Sequence, residues 1–550
     1  MKRNVLIFGA ILAAVFAGEF WLFDQVGAHR HTWIYARWND QVQYLWEAYT
    51  GWELVRLHGF FAGLAAAVTR PCAQGTLHPA LAILSFSVAG GASRSAALAL
   101  NMLAMILWQA ASAWATWRRT GSCSLAALAA FLPLALAWPW NDFAGSAVDF
   151  RLDHLALCGM GTTLACAFRS DGFRSASGSA ALGLAAGLTI LTRFITAVYL
   201  APLLALLLLL ALAGGKERGG RLRRGLGAVL IAGLLALPFL WLDRPYIWSY
   251  YGIGHSTGPE AAVRDPHLDF RASAVWLVQG VFRSHLGPAF GWIVLGGTLI
   301  LAGGVCLWRL PPAADPVGEA AGRARAPRQL AGLGFVFALV PALVLARHKL
   351  KSDIVIGISA PGLIALVLAA WFALGRAAGP PARRAAAAGV ALACLGFFVA
   401  RQRAPAYTPE FVVDARKVAG LADTIYRRSL QAGIRSPRVG VDHITDSIDA
   451  QAMRLLCYER HHVVVDFYMT LPMGIVEEPA ELLMARMQQS DFFFLTAEGG
   501  PAGYWPFDHQ MHDLNPRARA WCDAHWRAVD HFPLFGRRMV LYQRREIPLD

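Results

Sequence analysis

Asp40, in the run Trp38-Asn39-Asp40-Gln41-Val42-Gln43-Tyr44, offers a carboxylate in a polar and aromatic stretch just beyond the first apolar segment of the chain. If residues 37–52 are helical, Trp38, Val42, Leu45, Tyr49 and Trp52 recur on one face while Asp40, Tyr44 and Glu47 line another. A carboxylate at the rim of an apolar environment suits general-base work on a hydroxyl or amine, because partial burial raises its pKa toward a useful range. The competing reading is a solvated helix face, or an ion pair with Arg37 or Arg56. Three further groups carry charge where apolar runs end. Asp149, Arg151, Asp153 and His154 cluster at a helix start, where carboxylates also serve as N-terminal caps. Arg193 stands between two apolar halves, which is costly without a partner or a wet cavity; an ordinary loop arginine is the alternative. Arg347-His348-Lys349-Leu350-Lys351 gathers basic groups that fit a phosphate, or else grip lipid headgroups and anchor helix ends.

The elements that must position these groups are membrane helices. Of 550 residues, 56% are apolar and only 16% charged, with a mean hydropathy of +0.43; an ordinary soluble protein is excluded. A hydrocarbon core takes about 20 apolar residues per helix. Residues 4–18, 95–117, 194–213, 286–308 and 354–375 supply long uncharged runs. Shorter ones fall at 124–141, 155–168, 225–242, 329–346 and 385–400, and 180–191 crosses only with tilt or bilayer thinning. The positive-inside rule turns Lys2-Arg3, Arg118-Arg119, Arg169 with Arg174, 216–224, 309–328 and Arg376 with Arg383-Arg384 toward the cytoplasm. The remaining connections then face outward: 23–94, 142–154, the turn at Thr192-Arg193, 243–285, 347–353 and the tail from Arg401. The expectation is a polytopic α-helical protein of about 11 spans, with 60–68 and 78–90 interfacial or re-entrant. Lys2-Arg3 and the apolar run behind it read as a signal anchor. The net charge of +14 is accounted for by the inner loops and asks for no nucleic-acid partner.

Of eight Cys, six lie in or beside apolar segments and read as small core residues. Cys457 and Cys522 fall in the tail, where a disulfide is open to them in an oxidising compartment. CxxC, HExxH and GxxxxGK[ST] are absent, so zinc and phosphate-loop chemistry lack a motif. Composition changes at Arg401, dividing the chain into a membrane domain, 1–400, and a C-terminal domain, 401–550. In the tail, strand-like runs at 438–441, 463–467, 491–495 and 539–542 alternate with helical stretches at 447–458 and 477–489, the pattern of a small α/β domain. His461-His462 reads as a strand entry. His509, His512 and Asp513 sit among Pro506, Asn515 and Pro516, which mark a loop rather than a zinc site.

Taken in order, these features resemble the GT-C membrane glycosyltransferases related to protein mannosyltransferases and the aminoarabinose transferase of lipid A. The marks are Asp40; Gly75-Thr76-Leu77-His78-Pro79-Ala80; Arg151-Leu152-Asp153; the run from Gly183 to Thr192-Arg193; and His348-Lys349-Leu350-Lys351. The resemblance covers most of residues 1–400, and the tail is similar to the external α/β domains of such enzymes. It implies inverting transfer of a sugar from a polyprenyl-phosphate carrier to an envelope glycan, lipid or protein acceptor at the periplasmic face of the inner membrane. Under that reading Asp40 is the base, with Glu47 and Asp153 in the catalytic set. Arg193, Lys349 and Lys351 hold the donor phosphate, and Tyr44, His78 and Arg151 make acceptor or loop contacts. The family often carries an acidic pair in the first loop, whereas here Asp40 is followed by Gln41. Cationic side chains can stabilise the leaving group, so no cofactor is expected, with metal left open. The rivals are a transporter or lipid-linked sugar flippase, which would place charges deep in its spans and repeat its halves, and a membrane scaffold.

Overall fold

The computed structural model describes residues 2–31, 40–141, 145–212, 217–254, 269–287, 319–347, 357–377, 380–404, 407–442, 450–463, 465–469, 478–498, 509–534 and 537–545. They divide into two compact units, one of residues 1–29 and 48–404, the other of residues 30–47 and 405–550. The boundary falls inside a helix, Asp40–His58.

The first unit is helical. In chain order its helices are α1 (Lys2–Leu22), α2 (Asp40–His58, shared), α3 (Phe60–Thr69), α4 (Leu77–Ala89), α5 (Arg94–Thr120), α6 (Cys123–Phe131), α7 (Leu152–Ser170), α8 (Ala176–Thr192), α9 (Thr196–Leu212) and α10 (Arg218–Leu242). After these come α11 (Arg244–Ile247), α12 (Phe270–Gly280), α13 (Glu319–Arg347), α14 (Ala360–Ala377) and α15 (Pro380–Arg403). Among the described residues five helices are long and apolar enough to cross a membrane: Leu6–Arg30, Arg94–Thr120, Arg218–Leu242, Arg325–Ala346 and Arg384–Arg403. This is a multi-pass membrane protein. The expected span at 286–308 lies almost wholly outside the described residues. At 1.5 Å per residue, α3 and α4 reach about 15 and 20 Å, short of a hydrocarbon core of about 30 Å.

Helix α10 shows how the packing arises. Ala228, Ala232 and Ala236 are buried at four-residue spacing, while Leu226, Leu230, Leu234 and Leu237 are exposed. The small face meets α8, where a Cβ on Gly183 would strike the Ala228 backbone and one on Gly187 would press on Ala232. Small residues let the two backbones approach closely, and the leucines are left for lipid. Ser93, Ser122 and Ser175 cap α5, α6 and α8, each accepting from a backbone N–H three residues on.

The tail holds a five-stranded mixed sheet: β1 (Arg438–Val441), β2 (Asp466–Met469), β3 (Phe492–Glu498), β4 (Trp526–Leu534) and β5 (Arg537–Arg544), in the spatial order β2-β1-β3-β5-β4. β1 pairs in parallel with β2 and β3, and β5 antiparallel with β3 and β4. The parallel pairs need crossover helices, supplied by α17 (Ala450–His461) and α18 (Ala480–Gln488), while α16 (Pro409–Gln431) precedes the sheet. Phe492, Phe493, Phe494 and Leu495 are all buried, as in a strand covered on both faces.

One expectation for the tail is corrected, and one question left open by the sequence is answered. The proline-marked stretch after residue 506 is not a loop throughout, because His509–His525 forms a helix, α19, that contains Pro516. Leu514, Ala518 and Cys522 recur at four-residue spacing against Phe493, Leu495 and Val540, and Asn515 donates to the Thr496 carbonyl at 3.1 Å. Burial of that face outweighs the one backbone bond lost to proline. Cys457 and Cys522 are free thiols, one beside the Ala422 carbonyl and the other beside Met487. Burial pushes each up to about 12, so both stay protonated.

Candidate active site

The described site grows from the ends of α7 and α8 in the first unit. Asn101, fully buried on α5, donates its amide to the carbonyls of Ala147 and Asp149 at 2.9 Å each, pinning the loop before α7. Within that loop Gly145 N–H donates to Asp149 Oδ2 at 2.6 Å, and Arg151 Nε sits 2.9 Å from the same oxygen. Asp149 and Arg151 are both buried, so neither charge is spent on solvent. Held at the start of α7, Arg151 makes no side-chain cap. Two residues on, in the first turn of α7, Asp153 forms an ion pair with Arg193 at the C-terminal end of α8. The structure thus brings together two residues that the sequence assigned separately to catalysis and to phosphate binding.

The Arg193 turn is fixed from three sides. Its N–H bonds the Thr189 carbonyl at 3.2 Å, and Thr196 Oγ1 donates to its carbonyl at 2.8 Å. Phe194 N–H donates to the Gln74 carbonyl at 2.6 Å. At Gly75 a Cβ would run into the Thr192 carbonyl, so only glycine lets this loop reach the turn. The loop itself winds around the Cys72 sulfur, which takes the N–H groups of Gln74 and Gly75 at 3.3 Å each. Cys72 N–H in turn donates to Asp243 Oδ1 at 3.2 Å. Burial raises the Asp243 carboxyl above its ordinary range, against that hydrogen bond. Burial likewise raises the Tyr251 hydroxyl, which the Arg193 charge draws back down.

His78, placed by the sequence among the acceptor or loop contacts, is fully buried and packs against Phe150, with ring centroids 3.9 Å apart and the planes tilted by 31°. Burial pushes its imidazole down to about 3, so it is a neutral ring that supports the loop rather than a cation. In the second unit, α2 starts at Asp40, and Tyr44 is buried rather than exposed on a polar face. Gln43 donates to Glu47 at 3.3 Å. Trp46 meets Tyr458 edge to face at 6.0 Å and lies under the Arg454 guanidinium at 5.2 Å. Arg56 pairs with Glu53 at 3.0 Å. Lys349 and Lys351 lie outside the described residues. No group of three His, Cys, Asp or Glu side chains among the described residues is arranged to hold a metal.

Sequence reasoning missed Cys72, Gln74, Asp243 and Tyr251. Only the adjacent Gly75 carried a signal, as a glycine beside a proline-bearing helix start. Gly254-His255-Ser256-Thr257-Gly258 has the spacing of a hydrolase nucleophile elbow, yet that motif needs a strand before it and here a π-helix, Trp248–Gly254, stands there.

No family model and no curated protein matches the chain. Among solved structures, ArnT from Cupriavidus metallidurans bound to undecaprenyl phosphate matches with a TM-score of 0.58 at 15% identity, over 100% of both chains. The apo form of ArnT matches with a TM-score of 0.58 at 14% identity, over 100% of this chain and 99% of that one. An Archaeoglobus fulgidus oligosaccharyltransferase tethered to an acceptor peptide with an NVT sequon gives a TM-score of 0.45 at 11% identity, over 99% of this chain and 75% of that one. The fold is the GT-C fold of membrane glycosyltransferases, shared with ArnT, the lipid A aminoarabinose transferase.

Proposed function

We propose that the chain is an inverting glycosyltransferase that moves a sugar from a polyprenyl-phosphate carrier to an envelope acceptor at the periplasmic face of the inner membrane. The observation that carries this reading is the Asp153–Arg193 pair, lodged at a turn built from three separate segments of a GT-C fold. The ArnT structure of the same fold was obtained with undecaprenyl phosphate. By sequence we assign catalysis to residues 1–400 and a periplasmic domain to 401–550, although residues 30–47, with Asp40 and Glu47, belong to the same compact unit as the tail.

In the reaction an acceptor hydroxyl or amine attacks the anomeric carbon as the bond from that carbon to the phosphate oxygen breaks. The acceptor's proton passes to Asp40, and polyprenyl phosphate departs with the electron pair. Arg193 meets the charge that develops on the phosphate, where a preorganised cation lowers the barrier most. Asp153 holds the guanidinium in place until the donor arrives, since Arg offers five N–H donors and one carboxylate occupies only part of that set. Lys349 and Lys351 would complete the phosphate contacts, and Glu47 would assist from the helix of Asp40.

The test is to incubate purified protein with a panel of polyprenyl-phosphate sugars and measure release of the lipid phosphate. Asp40→Asn keeps shape but removes the base, and should lower turnover about 100-fold or more with carrier binding nearly unchanged. Near-normal turnover in a correctly inserted variant would remove Asp40 from the mechanism. Movement of intact lipid-linked sugar across vesicles, with no bond broken, would instead identify a flippase.

A further inference from the structure

At the far ends of α7 and α8 from Arg193, the first unit encloses a cavity of about 340 Å³. Its lining is two-sided in character. Leu206, Leu210 and Leu333 supply apolar surface from α9 and α13, and Arg174, Arg221, Arg325 and Arg328 supply charge against a single acid, Asp171. That acid is already engaged, since Arg119 Nη2 reaches Asp171 Oδ1 at 2.6 Å and Gln329 Oε1 at 2.8 Å. Glu217 beside it is engaged too, by Arg174 Nε at 2.6 Å.

The cavity has a built floor. Asp171, Gly172 and Phe173 lie consecutively in the left-handed region, at φ of 55°, 61° and 65°, although two of them carry side chains. Arg221 Nε donates to the Gly172 carbonyl at 2.8 Å and Arg224 Nε to the Phe173 carbonyl at 2.7 Å. Such a backbone persists only where its surroundings over-determine it. Arg325 and Arg328, by contrast, are exposed and make no hydrogen bond or ion pair among the described residues. Beyond a long-range attraction between Arg325 and Glu217, no carboxylate is bonded to either charge beside this apolar slot. Leu209 and Leu212, also on α9, are exposed in the manner of lipid-facing residues.

We infer that this cavity binds the phosphate headgroup of an anionic membrane lipid, with Arg325 and Arg328 on the phosphate and an acyl chain along Leu206, Leu210 and Leu333. A basic pocket between membrane helices is the physical form such a site takes. An amphiphile fits the mixed lining better than a soluble phosphate does, because the latter would leave the leucine surface facing water. The site is separate from the Arg193 turn and stands whether or not the transferase reading holds.

Full-length protein in nanodiscs or detergent, given phosphatidylglycerol and phosphatidylcholine in equal amounts, should retain phosphatidylglycerol about tenfold more in native mass spectrometry. In Arg325→Gln/Arg328→Gln the preference should vanish, and in Arg427→Gln/Arg435→Gln, which removes equal charge from exposed positions in the second unit, it should persist. Arg325 and Arg328 make no hydrogen bond or ion pair among the described residues, so the first variant should fold; its melting temperature without lipid checks that. Equal retention of both lipids by the wild type, or an unchanged preference in Arg325→Gln/Arg328→Gln, would overturn the assignment. Displacement of phosphatidylglycerol by inorganic phosphate at equal concentration would overturn the lipid as the source and leave a soluble anion in its place.

Discussion

The two ends of the α7–α8 pair differ in how many arginines they leave without a carboxylate. About 28 Å apart at 1.5 Å per residue along a 19-residue helix, one end matches each guanidinium with a carboxylate: Arg151 with Asp149, Arg193 with Asp153. At the other, Arg119 pairs with Asp171 and Arg174 with Glu217, but Arg221 and Arg224 hold backbone carbonyls, and Arg325 and Arg328 make no hydrogen bond or ion pair among the described residues. The difference is one of purpose. A mostly buried cation needs a partner to be tolerated at all, and a partner that an incoming phosphate can supplement makes it a positioned reagent. A cluster in excess at a helix end tolerates its charge through solvent and headgroups, and there it serves orientation and lipid binding.

Replacement of Arg193 by Gln should have the largest effect. Turnover should fall by about 100-fold or more, the scale of losing one preorganised donor to a developing anion. Stability should fall by about 3 kcal/mol, because Asp153 is left buried without its partner. The double variant Arg193→Gln/Asp153→Asn sharpens the comparison: it should regain part of the stability and none of the turnover. If turnover returned with stability, the pair would be structural only.

At the opposite end, Arg221→Gln frees the Gly172 carbonyl in a strained turn and should cost about 1–3 kcal/mol in chemical denaturation, with turnover of the folded fraction close to wild type. A turnover loss as deep as that of Arg193→Gln would break the distinction between the two ends. Gly75→Ala tests the support of the Arg193 turn. The added methyl meets the Thr192 carbonyl, so the loop or the turn must shift at a cost of about 1–3 kcal/mol. The expected kinetic signature is a lowered kcat at near-normal carrier affinity.

The smallest effect belongs to an exposed cluster in the second unit, where Asp423 bonds Arg460 and, at 2.8 Å, His461. The Arg460 hydrogen bonds, then His461, hold the Asp423 carboxyl below the usual carboxylate range. A depressed carboxylate contributes stability that is complete above its unfolded pKa, near pH 4, and is lost as pH falls through the lower folded value. Because the cluster is solvent-screened, the contribution should not exceed about 1 kcal/mol. Protection of the α17 amides in the full-length protein, taken relative to their intrinsic exchange rate, should therefore fall below pH 4, and that fall should be absent in Asp423→Asn.

Local rules made much of the fold legible. Among the described residues the apolar runs at 4–18, 95–117 and 194–213 fall largely in helices. The runs at 438–441 and 491–495 became strands of the sheet. Strand β4 escaped because Asp530, His531 and Pro533 break any apolar alternation; as an edge strand it needs only Trp526 and Leu534 buried. Pro516 and Asn515 read as loop residues and stand in a helix, since the sheet supplied what local propensity withheld.

The sequence by itself determined that this is a multi-pass membrane protein, that most of its described apolar runs are helical, and which charged residues stand near their ends, although the run at 124–141 breaks after Phe131 into 3-10 turns. Those properties depend on hydropathy and capping within a few residues of chain, and so survive without a fold. Tertiary structure alone decided that Asp153 meets Arg193, that Gln74 and Gly75 close on that turn, and that arginines from three connections share one cavity. Each of these joins segments distant in sequence, and a side chain's partner is chosen by how the helices pack, through close approaches such as that of Gly183 to Ala228, which no local pattern encodes.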